Sequence, residues 1–95
     1  MATGAVTLCV VLRVPPQGLE MFQAYEDHVL PLLARHGGDL QRRLRSKDGL
    51  TEVHVIRFPS TDSFDRFRAD PDRARHNDLM VRSGAVAEIL RVEDV

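Results

Sequence analysis

Valine and leucine fill Val6 to Val14 almost continuously, interrupted by Thr7 and Cys9, before Arg13-Val14-Pro15-Pro16. Such a run predicts a central strand buried on both faces, and two prolines that cannot extend a ladder end it. From Gly18 to about His36 the period changes. At 100° per residue, Leu19, Phe22, Val29, Leu30 and Leu33 share one face, with Tyr25 and Leu32 at its border. Glu20, Gln23 and Asp27 fall opposite. The pattern predicts an amphipathic helix ended by Gly37-Gly38 and kinked at Pro31, which removes the bond to the Asp27 carbonyl.

Two further strands, Asp39 to Lys47 and Leu50 to Phe58, flank Asp48-Gly49, a two-residue hairpin signal. Arg42, Arg43, Arg45 and Lys47 crowd the first of them, as suits an exposed edge strand; a patch for an anionic ligand is the sharper alternative. Pro59 stops the second. Ser60 or Thr61 then caps a helix with Asp62 in its first turn and Phe64 and Phe67 as its core pair. Asp70-Pro71 restarts a helix that runs through Ala74, Met80 and Val81 to Ser83-Gly84, and Ala85 to Val92 forms the last strand.

The order β-α-β-β-α-β is the split βαβ pattern of the ferredoxin-like α+β fold: a four-stranded antiparallel sheet with helices on one face, here in one domain over residues 1–95. Helices cover one face only, whereas the first strand is apolar on both. A second copy of the chain, packed sheet on sheet, is the expected cover. Length favours this too, since 95 residues bury only roughly 60–68% of their unfolded surface alone.

Composition narrows the function classes. The net charge of −1 with locally alternating signs offers no basic field for nucleic acid, and one tyrosine with no tryptophan makes no stacking platform for single strands. No apolar run is long enough for a membrane span. Met1 to Ala5 lacks the basic leader and cleavage pattern of a signal peptide, so a cytoplasmic location is expected. The arginine bias, with Lys47 the one lysine, suggests a GC-rich coding genome more than a function. Cys9 alone forms no internal disulfide and reads as a buried small hydrophobe. Nucleophile-elbow, phosphate-loop and dinucleotide motifs are absent, as are HExxH and any histidine pair at i, i+4, so neither a metal nor a cofactor is expected.

Val6–Val14, Tyr25-Glu26, Val29-Leu30-Pro31, His36-Gly37-Gly38, Phe58-Pro59-Ser60, Phe67 and Asp70-Pro71 together resemble the dimeric α/β-barrel superfamily. The chain is most similar to its small stand-alone bacterial members, near the antibiotic-biosynthesis-monooxygenase-like domains and a related family of uncharacterised function. The resemblance implies a homodimer whose sheets pack face to face, with a pocket between helices and sheet in each subunit. It allows cofactor-free monooxygenases, polyketide cyclases, lactone isomerases, haem-degrading enzymes and proteins without known activity, so it constrains chemistry weakly.

Strand alternation places His54, Ile56 and Phe58 on one face and Val53, Val55 and Arg57 on the other. With Phe58 beneath the second helix, His54 faces the helix-side pocket, where it reads as a general base or as a half-buried histidine bonded to a neighbour. Tyr25 reads as an oxyanion donor or a core tyrosine with an exposed tip. His36, near the same face at a helix C-terminus, reads as a pocket acid or a cap. Arg57 and Arg13, at strand ends, are candidate binders of a carboxylate or enolate, with Glu26, Asp27 and Glu88 as ordinary ion-pair partners. His28 and His76 read as solvent-facing; haem ligation by His54 or His76 would want a larger apolar lining. Two functions follow: an enzyme moving a proton on a small apolar molecule, as a cofactor-independent monooxygenase, cyclase or isomerase, or a non-catalytic homodimer binding a metabolite or partner.

Overall fold

Strand β1 (Val6–Arg13) lies inside the sheet, as its apolar run requires. In the computed structural model, which describes residues 4–95, β2 (Asp39–Arg45), β3 (Thr51–Phe58) and β4 (Val86–Val92) complete an antiparallel sheet of order β2-β3-β1-β4. Arginine-rich β2 is an edge, as expected. The α-helices among the described residues are α1 (Leu19–Val29), α2 (Thr61–Arg68), α3 (Pro71–Ala74) and α4 (Asn77–Ser83). The fold is the ferredoxin-like β-α-β-β-α-β arrangement, with the second helical connection split into three short helices.

Leu8 and Leu12 of β1, with Ile56 and Phe58 of β3, are buried on the helix side. Phe58 is the hub. Its ring lies 5.4 Å from Phe64 and 5.7 Å from Phe67, and full burial of each such ring contributes about 1.5–3 kcal/mol. Ser60 fixes where α2 begins: its Oγ accepts the Ser63 N–H at 3.0 Å. Asp70 does the same for α3, accepting the Asp72 N–H at 2.8 Å.

Four details differ from the sequence expectation. The first helix does not kink at Pro31; α1 stops at Val29 and the chain continues as a 3-10 segment, Leu30–His36. Pro31 has no N–H for the α ladder, and the tighter winding absorbs the loss until Gly37, at φ 74°, turns the chain away. The hairpin loop is Ser46–Leu50 rather than two residues. Asp48 Oδ1 accepts from both Ser46 Oγ and the Leu50 N–H, which closes a longer turn in the same strand register. The helix expected from Asp70 to Ser83 breaks at Arg75-His76, because Arg73 to Asp78 offers only Ala74 as an apolar anchor. Cys9 is half-buried on the outer sheet face rather than buried.

A fifth feature has no counterpart in the expectation. Leu40 pairs with Ile56 and Arg42 with Val55, so Gln41 is an extra residue in β2. This bulge resets the alternation: Leu40 and Arg43 both face the helices, although they are three apart. Arg43 then pairs with His54, and Arg45 with Glu52.

Candidate functional site

Helix α1 crosses the inner face of the sheet with Phe22, Tyr25, Glu26 and Val29 as its buried stripe. Three of these are apolar or amphipathic; Glu26 is a carboxylate, 3% exposed. Beneath it lie Glu52 and His54, two residues apart on β3 and therefore on the same face, 2% and 4% exposed. His54 Nε2 stands 2.9 Å from Glu52 Oε1 and 3.0 Å from Glu26 Oε2. Both carboxylate contacts are made by this nitrogen, so neither occupies Nδ1. One N–H cannot satisfy two acceptors, and Glu26 Oε2 has no hydrogen-bond partner.

The guanidiniums turned inward by the β2 bulge balance these carboxylates. Arg43 Nη2 donates to Glu26 Oε1 at 3.0 Å and its Nε to Glu52 Oε1 at 3.1 Å. Arg45 donates through Nε and Nη2 to Glu52 Oε2 at 3.0 and 2.7 Å. Burial pushes the Glu52 carboxyl up, but the hydrogen bonds from His54, Arg45 and Arg43 outweigh it and hold the group at about 2. Burial likewise depresses His54, yet its close contacts with the Glu26 and Glu52 carboxylates outweigh this and raise it above its ordinary value of 6.5. A protonated His54 leaves the cluster with one unbalanced positive charge.

Glu26, Glu52 and His54 also bring three potential ligand atoms within 4.8 Å of one another. The donor set does not fit a divalent cation. Both carboxylates are already neutralised by arginine, and an added dication would face two guanidiniums at close range.

The cluster borders a cavity of about 120 Å³ between helices and sheet. Its sheet side includes Val10, His54, Ile56 and Ile89, and its helix side Tyr25, Glu26 and Met80. Arg73 and Arg68 form a second polar region on the helical side. Arg73 lies over the Phe67 ring at 5.3 Å and Arg68 over Phe64 at 5.2 Å. Burial raises the Tyr25 hydroxyl, and the Arg73 guanidinium beside it draws it partly back.

Of the sequence-predicted residues, the structure brings His54 and Tyr25 to this cavity and leaves three elsewhere. His36 braces the fold, its Nε2 2.7 Å from Asp70 Oδ2 and its ring edge-on to Phe67. That bond, with the Asp72 N–H and Arg35, holds the Asp70 carboxyl at about 2. Arg57 is exposed on the outer side of β3, and Arg13 is exposed beside Glu88 at 3.4 Å. Neither lines the cavity. His28 is exposed as expected, while His76 is half-buried, and their rings stack 4.0 Å apart.

Glu52 and Arg73 carry no role in the sequence reading; Glu26 enters it only as an ordinary ion-pair partner, and Arg43 only among the edge-strand charges or their anionic-ligand alternative. The signal for Glu26 was its place in the 22-25-26-29 stripe, and for Glu52 its two-residue spacing from His54.

The three-dimensional comparisons agree with the architecture. No protein-family model and no curated protein matches the chain. Among solved structures, a Bacteroides thetaiotaomicron protein assigned provisionally to the antibiotic biosynthesis monooxygenases superimposes with a TM-score of 0.82 at 10% identity, covering 97% of this chain and 90% of its own. The chain shares the ferredoxin-like fold of this structure. SnoaB, a cofactor-independent oxygenase from Streptomyces nogalater, gives 0.75 at 19% identity over 97% of this chain and 96% of its own. RPA0582, of unknown function from Rhodopseudomonas palustris, gives 0.78 at 20% over 99% and 85%. These identities establish the fold alone.

Proposed function

We propose that this protein binds a small, largely apolar organic molecule between helices and sheet and exchanges a proton with it through His54. One observation carries the reading: a buried histidine in the wall of an otherwise apolar cavity, with Nε2 committed to two buried carboxylates. In the neutral ring Nε2–H donates to Glu52, which leaves the Nδ1 lone pair to act as base. When Nδ1 takes a proton, the resulting imidazolium is stabilised by Glu26 and Glu52, the logic of a carboxylate-oriented histidine. Tyr25 supplies a hydroxyl donor for the oxygen that gains charge as the proton leaves. Enolisation of this kind underlies isomerisation, cyclisation and oxygenation driven by a substrate carbanion. SnoaB, which shares the fold, is a cofactor-independent oxygenase, and that adds weight to the last of these.

The working unit is a homodimer formed through the outer sheet faces. Leu44, Leu90 and Val92 are more than two-fifths exposed on that face, beside half-buried Val11, Val53 and Val55. No helix of the described residues covers it, and apolar surface of this kind marks an interface.

The test is deuterium uptake from D2O into cyclohexanone, a neutral enolisable ring of suitable size, followed by proton NMR. The wild-type protein accelerates uptake and His54→Gln loses at least tenfold, the lower range of general-base catalysis. Equal rates for the two proteins exclude His54 as the base.

A further inference from the structure

Arg73 presents a demand that the protein itself does not meet. Its Nε is buried and has no hydrogen-bond partner, while its Nη1 donates only to the Arg68 carbonyl at 3.3 Å. Among the described residues neither Arg73 nor Arg68 has a carboxylate within ion-pair distance, although Arg35, Arg43, Arg45, Arg75 and Arg82 all do. Both guanidiniums border the cavity without a carboxylate partner, each over a phenylalanine ring, and that of Arg73 also lies beside the Tyr25 hydroxyl. A buried guanidinium N–H without an acceptor is costly, and a planar two-oxygen anion is the group whose geometry best answers it.

Cavity size limits what can carry that anion. Cavities on the order of 150 Å³ accept benzene; this one, at about 120 Å³, holds a body no larger than a single six-membered ring. The apolar lining between His54 and Arg73 suits such a ring.

We infer that the natural ligand is a small carboxylic acid with a body the size of one ring, its carboxylate held by Arg73 with Arg68 at the mouth. This rests on the cavity reading of the proposed function and adds the substrate class. Arg73 is thereby the specificity-determining residue, and His54 acts on the part of the molecule remote from the carboxylate.

The experiment titrates benzoate and its neutral isostere benzamide into isotope-labelled protein and follows the amide signals of Tyr25, His54 and Arg73 by NMR. Benzoate is expected to bind at least tenfold more tightly than benzamide. Arg73→Gln should bring the two within about twofold, Arg73→Lys should retain part of the preference, and His54→Gln should leave it in place. Benzamide binding as well as benzoate overturns the carboxylate assignment while leaving the cavity reading intact. A benzoate preference that survives in Arg73→Gln overturns the role of Arg73. Failure of both probes to move these signals removes the one-ring acid as ligand, and deuterium uptake into cyclohexanone still reports separately on His54. The lysine variant keeps the test decisive if the glutamine variant is poorly folded.

Discussion

Glu52 is the residue on which the buried charge cluster turns. It receives His54, Arg43 and Arg45 at once while 2% exposed. Its folded carboxyl sits at about 2 against an ordinary 4.5, so its stabilisation is complete above pH 4.5 and is lost as pH falls toward 2. His54 runs the other way. Its pKa is raised above 6.5, so its contribution is complete below 6.5 and is lost as pH rises through the folded value. The cluster therefore supports the fold most between about pH 4.5 and 6.5. Glu52→Gln should lower unfolding free energy at pH 5.5 by roughly 1–3 kcal/mol and flatten the acid limb of stability against pH, both read from urea titrations. An unchanged acid limb would show that other carboxylates carry it. His54 was legible in the sequence because strand alternation fixes its face relative to Phe58. Glu26 and Glu52 were not, since a carboxylate on a helix or strand reads as solvated until the fold shows it buried, and their arginine partners lie on β2, remote in sequence from Glu26.

At the scale of elements, the site depends on how the helices are held over the sheet. Helix α1 begins beside the end of α4, where Gly18 meets Ser83: a Cβ on Gly18 would stand 1.8 Å from the Ser83 carbonyl oxygen. Backbone cannot yield as a flexible side chain does. Gly18→Ala should therefore cost roughly 1–3 kcal/mol in a denaturant titration, and it should loosen the cavity roof by forcing α1 and α4 apart. Wild-type stability in this variant would show that the approach is not tight. The elements themselves followed from periodicity and punctuation, Pro59-Ser60 and Asp70-Pro71 above all. The β2 bulge did not. Nothing in Asp39 to Arg45 marks Gln41 as the extra residue, because the cue lies in partners on β3, and without the bulge Leu44 rather than Arg43 and Arg45 would face the helices. An edge strand dense in arginine thus supplies both solvent-side charge and the counterions of a buried site.

For the whole molecule, the sheet is finished on one side and unfinished on the other. The inner face carries the core and the cavity, whereas Leu44, Leu90 and Val92 leave the outer face apolar and open. Light scattering should give a mass near twice 10.7 kDa, and Leu90→Arg, which plants a charge in that face, should give a monomer. A wild-type monomer at micromolar concentration would leave the outer face for another partner. Overall architecture was legible because it follows from element order; substrate was not, because the acid-binding arginines of α2 and α3 are far from His54 in sequence and look like ordinary surface charges. The most direct test of the central claim is the pH profile of cyclohexanone deuteration. It should rise with pH to a plateau with a midpoint above 6.5, the raised value of His54, and the rise should vanish in His54→Gln. A flat profile, or one that the substitution leaves unchanged, would contradict it.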